Sequence, residues 1–287
     1  MKTILCALML LLGLSAQAQD KPLVLPLWPD GAPTQSGLSG EEKELWPSFI
    51  TNITVPEITV YKAAKPNGIC IICCPGGGYF GVSINNEGHD YAQWMNKLGI
   101  TMVLLKYRMP NGHAEIPLND SEQAIRMVRA HAAEWGINPH KVGIMGHSAG
   151  GHFAATLSTL YTSAETRPDF SVLVYPVISM DATITHMGSR ENLLGKEPSS
   201  EQVEHYSLEK QVNTQTPPAF LVLAADDDAV NPENSLRYYS ALLKNGIKNC
   251  VLHTYPTGGH GFGFGDSFLY KRQWTGELEN WIEQTLK

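Results

Sequence analysis

From Ile53 onward, short apolar runs alternate with stretches whose apolar residues recur every three or four positions. The runs Ile58–Tyr61, Gly68–Cys74, Thr101–Tyr107, Val142–Met145, Phe170–Tyr175, Ala219–Ala225 and Val251–Tyr255 have the length and branched composition of buried strands. Between them, Gly88–Leu98 carries Tyr91, Trp94, Met95 and Leu98 at helical spacing, and Gly99 stops it. Asp120 to Gln123 reads as a capping box that opens a helix with the stripe Ile125, Val128, Ala132 and Trp135. Gly151–Leu160 reads as a further helix, and Asn231-Pro232 opens another that Gly246 closes. Such alternation predicts an α/β fold, a mostly parallel sheet covered by helices on both faces. Two stretches depart from it. Asp20 to Ser48 is punctuated by Pro22, Pro26, Pro29, Gly31 and Pro33, which predicts a surface wrap without regular structure; residues 180–217 form a polar insertion expected to cover a site.

The first residues follow a different pattern. Lys2 precedes the apolar run Ile4–Leu14, and Ala16-Gln17-Ala18 is a small-residue cleavage pattern. Residues 1–18 therefore read as a signal peptide, leaving one domain over 19–287, exported to the periplasm or the extracellular space. The run is too short for a membrane span. A net charge of −7 with no basic block argues against nucleic acid as a partner. Five cysteines are too few for a disulfide scaffold, and Cys70, Cys73, Cys74 and Cys250 are expected to be buried thiols. The ten histidines show neither H-E-x-x-H nor a Cys/His spacing, so no metal is expected, and without a phosphate loop no nucleotide cofactor is expected either.

Gly146-His147-Ser148-Ala149-Gly150 joins an apolar strand to a helix-like run, the context of a nucleophile elbow. Upstream, Cys74-Pro75-Gly76-Gly77-Gly78-Tyr79 ends another strand, where glycines let backbone amides approach a substrate oxygen. The amides of Gly77, Gly78 and Ala149 are the candidate oxyanion donors. Downstream, Asp226, Asp227 and Asp228 follow one strand, and His260, among glycines, follows the next. The order serine, acid, histidine is that of α/β-hydrolase triads, with Ser148 as nucleophile, His260 as base and one of the three aspartates orienting it. Tyr79, Glu87, His186 and Arg190 are candidate substrate contacts from their place near the site loops.

Pro75–Tyr79, Glu87-Gly88-His89, Leu105–Arg108, Gly146–Gly151 and Gly258–Gly263 together resemble secreted bacterial α/β-hydrolase carbohydrate esterases. That branch includes acetylxylan esterases and BD-FAE-like feruloyl esterases and is distantly related to hormone-sensitive lipases. The resemblance runs from about Val55 to the C-terminus. It implies removal of acyl groups, O-acetyl first, from xylan-type polysaccharide or its oligosaccharides without a cofactor. A feruloyl esterase, a short-chain carboxylesterase or lipase, and a silent carbohydrate-binding relative are the alternatives. In such hydrolases the triad acid lies three residues before a Val, which Val230 makes Asp227, with Asp226 second and Asp228 third. Pro75 replaces the His of the lipase H-G-G-G, and Asn231 replaces a common Pro.

Overall fold

A computed structural model describes residues 21–286; the expected signal peptide lies outside the described residues. Among the described residues eleven strands occur in chain order: β1 (Leu23–Pro26), β2 (Lys43–Trp46), β3 (Phe49–Thr51), β4 (Glu57–Tyr61), β5 (Gly68–Cys74), β6 (Gly81–Ser83), β7 (Thr101–Lys106), β8 (Ile137–His147), β9 (Ser171–Val174), β10 (Ala219–Ala224) and β11 (Val251–Tyr255). The helices are α1 (Ala92–Lys97), α2 (Glu115–Ala130), α3 (Ala132–Trp135), α4 (Ala149–Leu160), α5 (Met187–Leu194), α6 (Ser200–Tyr206), α7 (Glu233–Lys244) and α8 (Lys271–Thr285).

Eight strands form one sheet in the order β1-β4-β7-β5-β8-β9-β10-β11. From β7 through β11 every pairing is parallel, while β1 and β4 add an antiparallel edge. Its central strands are buried on both faces, which explains why β5, β9 and β10 read as continuous apolar runs. One apolar core, with Phe153, Ile125 and Trp135, fills the face under α2 and α4; another, with Met95, Trp274 and Leu278, fills the face under α1 and α8.

Two expectations fail. The proline-rich stretch before Ser48 contains β1 and β2. Pro26 is tolerated because it ends an edge strand, and β1 pairs Leu23 with Val60 and Leu25 with Ile58. A separate small sheet, β2-β3-β6, follows from the same region. Asp120 caps nothing: its buried carboxylate accepts from the Arg108 guanidinium (2.6 Å), the Arg108 amide (3.0 Å) and the indole of half-buried Trp28 (2.8 Å). The helix starts earlier, at Glu115, and takes Pro117 in its first turn, where a missing N–H leaves no intrahelical bond unmade. The insertion at 180–217 is partly helical, since α5 and α6 lie in it. Cys70, Cys73, Cys74 and Cys250 are free thiols, and the first three are buried.

Candidate active site

β5 and β8 are neighbours, with Cys74 opposite Gly146, so both glycine-flanked loops leave the sheet side by side at its carboxyl edge. Ser148 joins β8 to α4 at φ 53°, ψ −120°, a conformation that non-glycine residues avoid. Surrounding bonds hold it there. Its amide donates to the Val174 carbonyl (3.0 Å), and its carbonyl accepts from the amides of Gly151 (2.9 Å) and Val177 (3.0 Å).

The loop after β11 brings His260 over this turn. Its Nε2 lies 2.8 Å from Ser148 Oγ, and its Nδ1 lies 2.7 Å from Asp227 Oδ2. The other Asp227 oxygen accepts from the amides of Ala229 (3.0 Å) and Val230 (2.9 Å). A carboxylate facing Nδ1 places the proton on that nitrogen and leaves Nε2 to accept from the serine hydroxyl. Asp227 is buried at 1% side-chain exposure, against 21% for His260. Asp226 is exposed and receives the Gly259 amide (2.8 Å) instead, and Asp228 is exposed as well. Of the acidic cluster, only Asp227 reaches the histidine.

The loop after β5 lies against the serine. A Cβ on Gly76 would stand 2.8 Å from Ser148 Cβ. Among the described residues the Gly77 and Gly78 amides have no hydrogen-bond partner, whereas the Gly76 amide donates to Glu87 Oε2 (2.7 Å). Ala149 begins α4, so its N–H lacks an intrahelical acceptor and sits at the positive end of the helix. Three free amides beside a serine hydroxyl can hold a negative oxygen. A cleft of about 310 Å³ opens beside His260, lined by Gly261, Phe262, Phe268 and Leu269 among others. Clefts of about 740 and 820 Å³ lie elsewhere and include none of the expected site residues.

A family model for the alpha/beta hydrolase fold matches residues 71–264. The chain belongs to that family. An acetylxylan esterase of Xylanibacter ruminicola is 42% identical over 79% of this chain and 48% of its own length. An endo-1,4-beta-xylanase B of Butyrivibrio fibrisolvens is 32% identical over 76% of this chain and 36% of its own. The chain thus spans about half or less of these curated relatives. A solved acetyl ester-xyloside bifunctional hydrolase from Caldicellulosiruptor lactoaceticus superposes with a TM-score of 0.78 at 35% identity, covering 92% of this chain and 96% of that one.

In this hydrolase two of the four expected substrate contacts are displaced inward. Tyr79 is 1% exposed, and its hydroxyl donates to His152 Nδ1 (2.9 Å), whose Nε2–H donates to the Tyr206 carbonyl (2.9 Å). Glu87 is 4% exposed and accepts from the Gly76 amide and the Tyr175 hydroxyl (2.7 Å each). Tyr79 leaves the glycine loop at φ 58° with its ring against Tyr107 and His152, and Glu87 is held inside by its two bonds. Arg190 donates to the Met180 carbonyl (3.0 Å) and secures the insertion. His186 stays beside the site: its Cε1 is 3.7 Å from where a Gly78 Cβ would be. Its Nδ1 accepts the Ser189 amide (3.2 Å), capping α5.

Burial keeps the neighbouring histidines neutral, holding His147 down at about 3 and His152 at about 4. Burial also lowers His186, and nearby His260 adds to that. Two residues of the site carry no sequence signal. Tyr175, at the end of β9, packs its ring 4.8 Å from that of His260, and Asn192 of α5 donates to the Gly78 carbonyl (2.9 Å).

Proposed function

We propose that this chain is a serine esterase that removes acetyl groups from xylan-type polysaccharide or its oligosaccharides, with Ser148, His260 and Asp227 as its triad. The observation that carries the reading is the continuous row Ser148 Oγ–His260–Asp227 at 2.8 and 2.7 Å beside three unpaired amides. The acetylxylan esterase and acetyl ester-xyloside hydrolase among its relatives support the substrate class.

Each group follows from its position. His260 Nε2 takes the serine proton as Oγ attacks the ester carbonyl, and the amides of Gly77, Gly78 and Ala149 hold the oxyanion. The imidazolium that forms is stabilised by Asp227 and gives its proton to the departing sugar oxygen, which leaves as a hydroxyl. Water, deprotonated by the same nitrogen, then releases acetate from the acyl-enzyme. The leader-like residues 1–18 support export, which would put the enzyme where polysaccharide is found.

Acetate and ferulate release from one acetylated, feruloylated xylan tests the substrate. Acetate is expected to dominate; ferulate alone would make the chain a feruloyl esterase, and cleavage of p-nitrophenyl acetate with neither product would remove polysaccharide from the reading. Ser148→Ala is expected to lower p-nitrophenyl acetate turnover by about 10⁴- to 10⁶-fold.

A further inference from the structure

Glu87 is a buried carboxylate without a cation. No ion pair includes it among the described residues, and its two oxygens are engaged by one amide and one hydroxyl. An interior carboxylate so weakly compensated is costly unless a charge elsewhere makes use of it.

Its two partners belong to different halves of the site. Oε2 holds the amide of Gly76, the residue against Ser148 that leads into the oxyanion loop. Oε1 holds the hydroxyl of Tyr175, whose oxygen accepts the Gly263 amide (2.8 Å), three residues past His260. The Tyr175 ring lies against both His260 (4.8 Å between centroids) and Phe262 (4.5 Å). One carboxylate therefore ties the oxyanion loop to the histidine loop through a single tyrosine, whose ring also lies against the imidazole.

We propose that Glu87 is a positioning residue that fixes the distance between these two loops and supplies, after Asp227, a second negative charge to the His260 imidazolium. The inference rests on the esterase reading given above.

The other groups around the pair leave this role to Glu87. Cys73, Tyr91, Tyr107 and Tyr175 face Glu87, and burial pushes each of them up, so they stay neutral. Around His260 stand Ser148, Asp227, the neutral His186 and, through the Gly259 amide, the exposed Asp226. Burial raises Glu87 itself, while the Tyr175 and Gly76 bonds and the charge of His260 oppose that rise. Removing the charge should make His260 harder to protonate. The same charge works against the oxyanion, so the histidine's titration reads its role more directly than rate does.

The test is an NMR titration of the His260 ring in the whole protein and in Glu87→Gln, beside the acid limb of kcat/KM for p-nitrophenyl acetate. Both are expected to move to lower pH by about one unit, the order of magnitude for the loss of one nearby charge at an effective dielectric near 20. A folded Glu87→Gln whose His260 titrates unchanged overturns the proposal. Should that variant not fold, Tyr175→Phe cuts the tie and keeps the carboxylate. It is expected to lower kcat about 10- to 100-fold with KM little changed, and an unchanged kcat overturns the proposal. Absence of ester hydrolysis by the unmodified protein would overturn the esterase reading instead, and the titration would still decide the effect of Glu87 on His260.

Discussion

The site is assembled from two halves that are built differently. On the nucleophile side, Ser148 is fixed through its backbone: φ is positive, and its amide and carbonyl are both bonded to neighbouring strand and helix ends. A Cβ on Gly146 would lie 1.9 Å from the Gly150 carbonyl oxygen, so the turn has no spare volume. On the acid–base side, His260 is 21% exposed and sits on a loop in which a Cβ on Gly261 would meet nothing within 4 Å. Around Gly261 that side is held by side chains, Asp227 and Tyr175, and packing returns only at the loop's ends, where a Cβ on Gly258 would stand 2.4 Å from Phe268 and one on Gly263 2.5 Å from Asn86. Oxyanion donors are backbone amides, so their geometry is only as firm as the chain that carries them. In the proposed mechanism the histidine moves a proton back and forth, and one firm partner on Nδ1 is enough to orient it.

The largest effect expected on this contrast is Asp227→Asn. The amide presents the wrong group to Nδ1 and favours the wrong tautomer, so kcat for p-nitrophenyl acetate should fall about 10³- to 10⁴-fold with the fold intact. Asp226→Asn loses only an exposed contact to the Gly259 amide and should leave kcat within a few fold. Equal losses in the two variants would mean that the loop, and not the Asp227–His260 pair, organises this half.

Gly146→Ala tests the nucleophile half. With a backbone oxygen 1.9 Å from the new carbon, β8 or α4 must shift, costing roughly 1–3 kcal/mol or more. A displacement of the serine by about 1 Å would lower kcat about 100-fold. Urea unfolding and kcat on one preparation check both, and a variant with unchanged stability and rate would show that the turn has slack.

The difference between the halves also decides what the sequence disclosed. Strands β5, β7 and β10 were legible because parallel strands buried on both faces are nearly unbroken apolar runs, whereas the half-buried edge strand β11 was legible through its β-branched and aromatic residues. Short β1, β2, β3 and β6 were not, since three or four residues carry no period, and their pairing is decided by distant partners such as Val60 and Val82. Ser148 and His260 stood out through their glycine neighbours. Burial, absent from the sequence, separates Asp227 from Asp226. Tyr175 and Asn192 were invisible because their function lies in contacts 88 and 114 residues away in the chain.

Acid should act first on the nucleophile half. His147 and His152 both belong to it, and their folded values of about 3 and about 4 lie below the ordinary 6.5. Between those limits the unfolded chain binds protons that the folded chain refuses, so the stability these residues contribute is present above pH 6.5 and is lost as pH falls toward the folded values. Each histidine should remove about 1.4 kcal/mol per pH unit in that window. Urea midpoints measured from neutral pH downward should decline accordingly, and His152→Gln should flatten the slope by one proton; an unchanged slope would show that His152 takes up its proton while folded.

Gly261→Ala is the smallest effect and the sharpest discrimination. Gly261 has φ 78°, and its surroundings leave room for a methyl group. Only the left-handed backbone resists substitution, at about 1–2 kcal/mol for an L-residue. Because nothing packs against the new carbon, the strain stays within the loop and is relieved by small rotations around His260, while Asp227 and Tyr175 still hold the ring. The melting temperature should fall by only several degrees, at about 2–4 °C per kcal/mol for a chain somewhat smaller than this one. The kcat should fall less than in Gly146→Ala. If Gly261→Ala instead matches Gly146→Ala in rate, the histidine loop depends on its backbone as strictly as the serine turn does, and the two halves are built alike.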